Sequence, residues 1–457
     1  MGSANDLQGK RITVIGSGVS GKGLASLAAG LGASVFVTER KHLDEDARAI
    51  FREKGIEWEE NGHSGRACDA DLVVAGSGIP PSAPVIVEAR KRGIPVTGEL
   101  DFLAPFLRGR IIGVTGSNGK STTTALLGHM LTRKGYSVSV TGNIGTSLAD
   151  SALRNWDFLV VELSSFQLYW NSCLSCSVAV VTNLAPDHID WHGSYEEYVR
   201  SKARIITTQG EGGVAVIQER DRTALGSDLA DERFVCFSWK NGFSGRCEKA
   251  ILADEKSRSV YFRNGNDEER LFGFDDLPLI GRHNIENGSM AAGVLHLLGE
   301  KNGIPSLFPG FGGLPHRCEK VAEIDGILYI DDSKGTNVAS TCTALTSIDG
   351  PKAIILGGQG KGEDYAPLAE TVRNEAVAAV VMGEERDKIT AALRQAGYEQ
   401  IFEAEGMEDA VKTAASALPG KGVVLLSPAC TSWDMYPNYK KRGEHFKSIV
   451  LSLEKRP

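Results

Sequence analysis

Short runs of Val, Ile and Ala, each followed by a glycine-containing turn and then a helical stretch, recur along almost the whole chain. That rhythm predicts parallel sheets covered by helices on both faces, an α/β fold. Strands are expected at Arg11–Gly16, Ser34–Thr38 and Asp71–Gly76, and the segment near Gly93–Gly98 closes this first unit. A second series runs through Arg110–Gly116, Asp157–Glu162, Val178–Asn183 and Gly213–Ile217. From about residue 221 to 276 the sequence turns polar and charge-mixed, and the β-like pieces Arg233–Trp239 and Ser259–Phe262 predict a small antiparallel appendage. Leu314-Pro315-His316-Arg317 marks a fresh start, with strands at Ile327–Asp331, Lys352–Gly357, Ala376–Gly383 and Gly422–Ser427. Three domains are therefore expected, at 1–98, 99–313 and 314–457, in keeping with roughly 150 residues per domain.

Composition narrows the class. With 42% hydrophobic and 24% charged residues and 53 glycines, the chain reads as globular and rich in tight turns. Its net charge of -8 argues against a general nucleic-acid surface, so an anionic ligand must meet a local positive site. No apolar stretch approaches the ~20 residues needed to span a bilayer. Met1–Asp6 carries neither a basic flank nor an apolar run, and a cytoplasmic protein without membrane insertion is expected. The eight cysteines are scattered. Cys173 and Cys176 have metal-type spacing, but no second such pair or paired histidines complete a zinc site, and reduced structural thiols are expected throughout.

The strongest chemical signal follows the apolar run Ile111–Thr115. There Gly116-Ser117-Asn118-Gly119-Lys120-Ser121-Thr122 leads into the helical Thr123–Leu131. Glycines let backbone N–H groups turn inward, the helix N-terminus adds positive potential, Lys120 offers charge to β- and γ-phosphates, and Ser121 or Thr122 can ligate Mg²⁺. The common GxxxxGK[ST] pattern would place its first glycine at Val114, which separates this loop from ordinary P-loop NTPases. Glu162, in Val161–Gln167, stands at the C-terminal end of a strand, where ligands bind in open α/β sheets, and suits Mg²⁺. Thr182–Asp190 is a second strand end opening into polar groups, where Asp187 can cap a helix and His188 can be surface or ligand. Gly16–Gly21 follows a strand too, but as a dinucleotide fingerprint it is weak.

Eight segments, TGSNGKST, ELSSFQL, TNLAPDHID, GRHNIENGSMAA, GLPHRCE, DDSKGTN, GGQGKG and SPACTSWDMY, occur in the order and spacing of the Mur ligase family, and the resemblance spans essentially the whole chain. It implies Rossmann-like N- and C-terminal domains around a central P-loop-type ATPase domain. It also implies ATP-dependent amide-bond formation through an acyl phosphate, releasing ADP and phosphate, in peptidoglycan precursor synthesis for cell-wall biogenesis. The substrates implied are ATP, UDP-N-acetylmuramoyl-L-alanine and D-glutamate, with two Mg²⁺ ions and a monomeric enzyme. By the same resemblance, Gly116–Thr122 with Asn284, Arg317, Asp332 and Lys334 bind ATP. Ser121, Thr122, Glu162, His188 and Lys202 hold metal, and Lys120, Glu162, His188 and Lys202 are catalytic. Periodicity alone would make Lys202 a solvated helix lysine; the family carries a CO₂-carbamylated lysine there. Ser17, Gly18, Val19, Ser20, Glu39, Arg40, Gly78, Asn143, Ser164, Gln167 and His188 match the UDP-substrate side. Lys334, Thr336, Lys361, Ser432, Trp433 and Tyr439 match the D-glutamate side, although Trp433 and Tyr439 depart from commoner residues. Glu39 and Gly76-Ser77-Gly78 depart likewise on the uridine side. A sister ligase, a folylpolyglutamate synthase, an NAD-dependent oxidoreductase resting on Gly16–Gly21, and a non-catalytic nucleotide-binding scaffold are the competing readings.

Overall fold

The computed structural model describes residues 7–226 and 230–453; Met1–Asp6, read above for a leader, lie outside the described residues. Three α/β sheets are present. The first has the order β3-β2-β1-β4-β5, built from β1 (Arg11–Ile15), β2 (Ser34–Thr38), β3 (Glu57–Glu59), β4 (Leu72–Ala75) and β5 (Val96–Gly98). All its pairings are parallel. Val14, Val37 and Val74 are fully buried, because helices cover both faces and every side chain of an inner strand is enclosed.

The second sheet is nine-stranded, in the order β14-β13-β12-β11-β10-β9-β6-β8-β7. Its strands are β6 (Arg108–Thr115), β7 (Val138–Gly142), β8 (Asn155–Glu162), β9 (Val178–Val181), β10 (Val214–Gln218), β11 (Phe234–Trp239), β12 (Lys249–Asp254), β13 (Ser259–Asn264) and β14 (Asp267–Gly273). The predicted appendage is not separate from this sheet. β13 pairs antiparallel with β12 on one side and β14 on the other, but β11 runs parallel to both β10 and β12 and joins them to the rest. Phe234–Phe237 are all buried, the enclosure of an inner strand rather than of a hairpin with one wet face.

The third sheet has the order β15-β16-β20-β17-β18-β19, from β15 (Glu319–Ile324), β16 (Ile327–Asp331), β17 (Lys352–Gly357), β18 (Ala378–Met382), β19 (Ile401–Glu403) and β20 (Gly422–Leu426). Only β15 is antiparallel among its pairings. The chain folds as two compact units, residues 1–277 with 286–309, and residues 278–285 with 310–457.

The expectation that every cysteine is a reduced thiol is corrected in the second sheet. Cys236 on β11 and Cys247, just before β12, form a disulfide with Cα atoms 6.0 Å apart. Neighbouring strands bring together two buried side chains whose sequence spacing fits no metal motif. Cys173 and Cys176 are free, one exposed and the other buried. No helix among the described residues is long and apolar enough to cross a membrane.

Candidate functional site

β6 delivers its buried Ile112–Thr115 directly into Gly116–Gly119, and the helix Lys120–Arg133 starts at once. Close approach explains the two glycines. A Cβ on Gly116 would lie 2.0 Å from Thr182 Oγ1, and one on Gly119, at φ +80°, 2.3 Å from Asn287 Oδ1. The Thr182–Ala185 strand end fixes the loop from below: Ser117 N–H donates to Asn183 O at 2.9 Å, and Asn118 N–H to Asn183 Oδ1 at 2.9 Å. Lys120 Nζ donates to Gly116 O and Ser117 O at 2.9 and 2.8 Å, so its ammonium lies over the loop's mouth. Ser121 is buried in the first helical turn and Thr122 half-buried. Asn287, which the sequence reading passed over, accepts from Thr123 Oγ1 at 3.3 Å and backs the loop. Its signal was the spacing from Asn284, about one turn along the helix Arg282–Leu297.

Glu162 closes β8 and is 1% exposed. Its Oε1 accepts from Asn143 Nδ2 at 3.0 Å, whereas Oε2 is buried without a hydrogen-bond partner among the described residues. A buried carboxyl oxygen left over in this way suits a hard divalent cation such as Mg²⁺. His188 has left-handed backbone (φ +52°), stands at the start of the short helix Ile189–His192, and packs its ring 4.7 Å from that of Phe166.

Lys202 sits on the helix Tyr195–Thr207 and is 1% exposed, so the solvated position that periodicity suggested is not where it lies. Its Nζ donates to Gly116 O at 2.7 Å and Thr115 Oγ1 at 3.3 Å. Lys120 and Lys202 thus converge on one carbonyl. Burial first, and then the Lys120 charge, hold the Lys202 amine well below its ordinary pKa, against the opposing pull of Asp187 and Glu162. His192 is pushed down to about 4, chiefly by burial and then by His188 and Lys202, and stays neutral between Ser165 Oγ and Ser201 Oγ.

A cleft of about 370 Å³ opens where the loops after β1, β4 and β7 meet, lined by Gly18, Val19, Ser20, Gly78 and Asn143 among others. Glu39 is spent on shaping it: Oε2 accepts from Ser17 N–H and Oγ at 2.8 and 2.9 Å, and Oε1 from Lys41 N–H at 3.0 Å. Burial raises that carboxyl, but the donors outweigh it and leave the pKa below the usual range. Arg40 is exposed. Ser164 and Gln167 cap the helix Ser165–Tyr169 reciprocally, and Gln167 Nε2 donates to buried Glu99 at 3.0 Å. None of Ser17, Glu39, Arg40, Ser164, Gln167 and His188 is among the residues lining the cleft.

In the second unit, Asp332 accepts from Ser427 Oγ at 2.7 Å and Cys318 N–H at 3.2 Å, and burial raises its carboxyl to about 7. Arg317 is exposed. Asn284 Nδ2 donates to Ile280 O at 2.7 Å, and neighbouring His283 is lowered to about 4 by burial. Lys334 Nζ lies 5.4 Å from the centre of the Tyr439 ring, and Lys361 Nζ donates to Thr336 Oγ1 at 3.4 Å. Ser432 is buried, while Trp433 is 68% exposed.

What joins these segments is Arg442, which no motif flagged. Fully buried, it donates to Ser333 Oγ and Ser333 O from one side and to Thr431 O and Cys430 O from the other, at 2.8–3.1 Å. The loop carrying Lys334 is thereby pinned to the loop carrying Ser432. Arg442→Met is expected to cost about 3 kcal/mol of stability, since several buried carbonyls lose a charged donor; urea unfolding checks it, and an unchanged midpoint contradicts it.

Family models match three consecutive stretches of the chain: a MurD N-terminal domain over residues 11–85, a Mur ligase middle domain over 114–295, and a Mur ligase, glutamate ligase domain over 316–430. The UDP-N-acetylmuramoylalanine–D-glutamate ligase of Pelotomaculum thermopropionicum is 38% identical, with 98% of this chain and 99% of that one covered. That of Salinibacter ruber is 36% identical over the same shares. Among solved structures, the UDP-N-acetylmuramate-alanine ligase MurC of Thermotoga maritima has a TM-score of 0.59 at 20% identity, covering 97% of this chain and all of that one. MurF ligase of Thermotoga maritima, in complex with ADP, has a TM-score of 0.57 at 19% identity, covering 100% and 98%, and both share the three-sheet fold. Matched in all three parts and along nearly its full length, this chain belongs to the Mur ligase family of ATP-dependent ligases, in its UDP-N-acetylmuramoylalanine–D-glutamate ligase branch.

Proposed function

We propose that this chain joins D-glutamate to UDP-N-acetylmuramoyl-L-alanine at the expense of ATP, through an acyl phosphate, in peptidoglycan precursor synthesis. Full-length identity to D-glutamate ligases supports the substrate pair. The observation that carries the chemistry is the phosphate loop set against a buried Glu162 oxygen with no hydrogen-bond partner among the described residues. Lys120 and the N-terminus of the helix it opens receive the phosphates of ATP, and the developing negative charge meets donors already oriented. Ser121, Thr122, Glu162, His188 and Lys202 are the groups for two Mg²⁺ ions, which neutralise charge between γ-phosphate and acceptor carboxylate when bound.

Gly18, Val19, Ser20, Gly78 and Asn143 receive the nucleotide-sugar, with Ser17 and Glu39 shaping their loop, and Arg40, Ser164, Gln167 and His188 belong to the same reading through the family motifs alone. Asn284, Arg317, Asp332 and Lys334 complete the ATP contacts. Lys334, Thr336, Lys361, Ser432, Trp433 and Tyr439 take D-glutamate, whose side-chain carboxylate calls for the two lysines. Domain limits at 98/99 and 313/314, a monomer and a cytoplasmic site of action complete the reading.

Phosphate release is expected to require UDP-N-acetylmuramoyl-L-alanine and D-glutamate together, and to remain at background with L-Glu, L-Ala, L-Lys or meso-diaminopimelate. Turnover with L-Glu and none with D-Glu would sink the stereochemical assignment.

A further inference from the structure

Two tryptophans from the loops of the second sheet grip one turn of the first. Trp191 Nε1 donates to Gly78 O at 3.2 Å, and Trp170 Nε1 donates to Ile79 O at 3.2 Å. The carbonyls are consecutive, and they belong to the turn after β4 that lines the 370 Å³ cleft. Within its own sheet this turn is held by Gly76 N–H on Ile15 O and Ile79 N–H on Gly76 O, both 3.0 Å. A turn with glycine at 76 and 78 has little stiffness of its own, so donors from outside set its shape.

The two anchors differ in what stands behind them. Trp170 is wedged against Gly98, where an added Cβ would come within 2.2 Å of its side chain, and Arg90 lies over its ring at 5.5 Å. Trp191 belongs instead to the short helix that begins after His188, and its N–H donates to His188 O at 3.2 Å. The Phe166 ring touches both side chains, lying 4.9 Å from Trp191 and 4.7 Å from His188. One aromatic wedge therefore has the cleft turn on one side and the His188 imidazole on the other. Indole suits this, having a flat apolar body for packing and a single N–H to aim.

We propose that Trp191 is a positioning residue for the nucleotide-sugar: its N–H sets the Gly76–Ile79 turn, and its ring couples that turn to His188. The inference rests on the substrate assignment above. Trp191→Phe keeps the ring and removes the donor, and is expected to weaken binding of UDP-N-acetylmuramoyl-L-alanine, measured by calorimetry, about fivefold, with kcat within about twofold of wild type. Trp191→Ala also frees His188, and kcat is expected to fall about tenfold besides. Trp170 reaches the His188 cluster only through Tyr169 among the described residues, and Trp170→Phe, which keeps a ring there, is expected to raise KM for the nucleotide-sugar alone. Wild-type affinity and KM in Trp191→Phe overturn this inference and leave the functional reading standing. So does a Trp191→Ala variant that melts earlier yet keeps wild-type KM and kcat. A wild-type chain that binds no UDP-N-acetylmuramoyl-L-alanine overturns the functional reading and this inference with it.

Discussion

Lys120→Ala is expected to lower ligation about 10³-fold, with the protein folded and the nucleotide-sugar still bound. The side chain is half-buried, and it donates to Gly116 O and Ser117 O at the mouth of the loop. Those carbonyls border the half-buried phosphate loop, so losing the ammonium costs the fold little while removing the charge that faces the phosphates. Lys120→Arg is expected to recover little, because a planar guanidinium does not reproduce the compact ammonium that bonds Gly116 O and Ser117 O together. Phosphate release with both substrates saturating, and calorimetry with UDP-N-acetylmuramoyl-L-alanine alone, separate chemistry from folding. Near-normal turnover in Lys120→Ala would contradict the loop assignment.

The readability of this site in the sequence followed the range of the interactions that build it. The phosphate loop was legible because strand, glycine turn, lysine and helix are contiguous, and local backbone chemistry suffices to specify them. β11 was misread for the opposite reason: whether Phe234–Trp239 pairs parallel or antiparallel is decided by β10 and β12, not by its own residues. Lys202 looked like any helix lysine, since its burial comes from the packing of its helix on β6 and the loop beneath. Only family resemblance singled it out. Arg442 was invisible altogether, because its partners are one serine hydroxyl and three main-chain carbonyls of two distant loops, and carbonyls leave no mark in a sequence. Cys236 and Cys247 were missed likewise, their pairing being a consequence of strand order.

Lys202→Ala tests the most unusual electrostatic feature of the molecule and is expected to lower kcat/KM about 10²- to 10³-fold. Two lysines sharing the Gly116 carbonyl cannot both hold a proton cheaply inside the protein, and the buried one yields. A neutral amine is the form reactive toward CO₂, and on the proposed reading Lys202 forms an N–C bond with CO₂, gives up a proton to solvent, and becomes a carbamate. That change would set an anion opposite Lys120, where a second cation is disfavoured. On the proposed reading the carbamate is the group that Lys202 presents to metal. Acetate or formate, being carboxylates small enough for the space left by alanine, are then expected to restore part of the activity of Lys202→Ala and none of that of Lys120→Ala. The wild-type enzyme is expected to lose activity in CO₂-depleted buffer and regain it on adding bicarbonate. Full activity of Lys202→Ala without any carboxylate removes the carbamate from the site. Loss without rescue, together with indifference to CO₂ in the wild type, reduces Lys202 to a buried amine that serves packing and the Gly116 carbonyl alone.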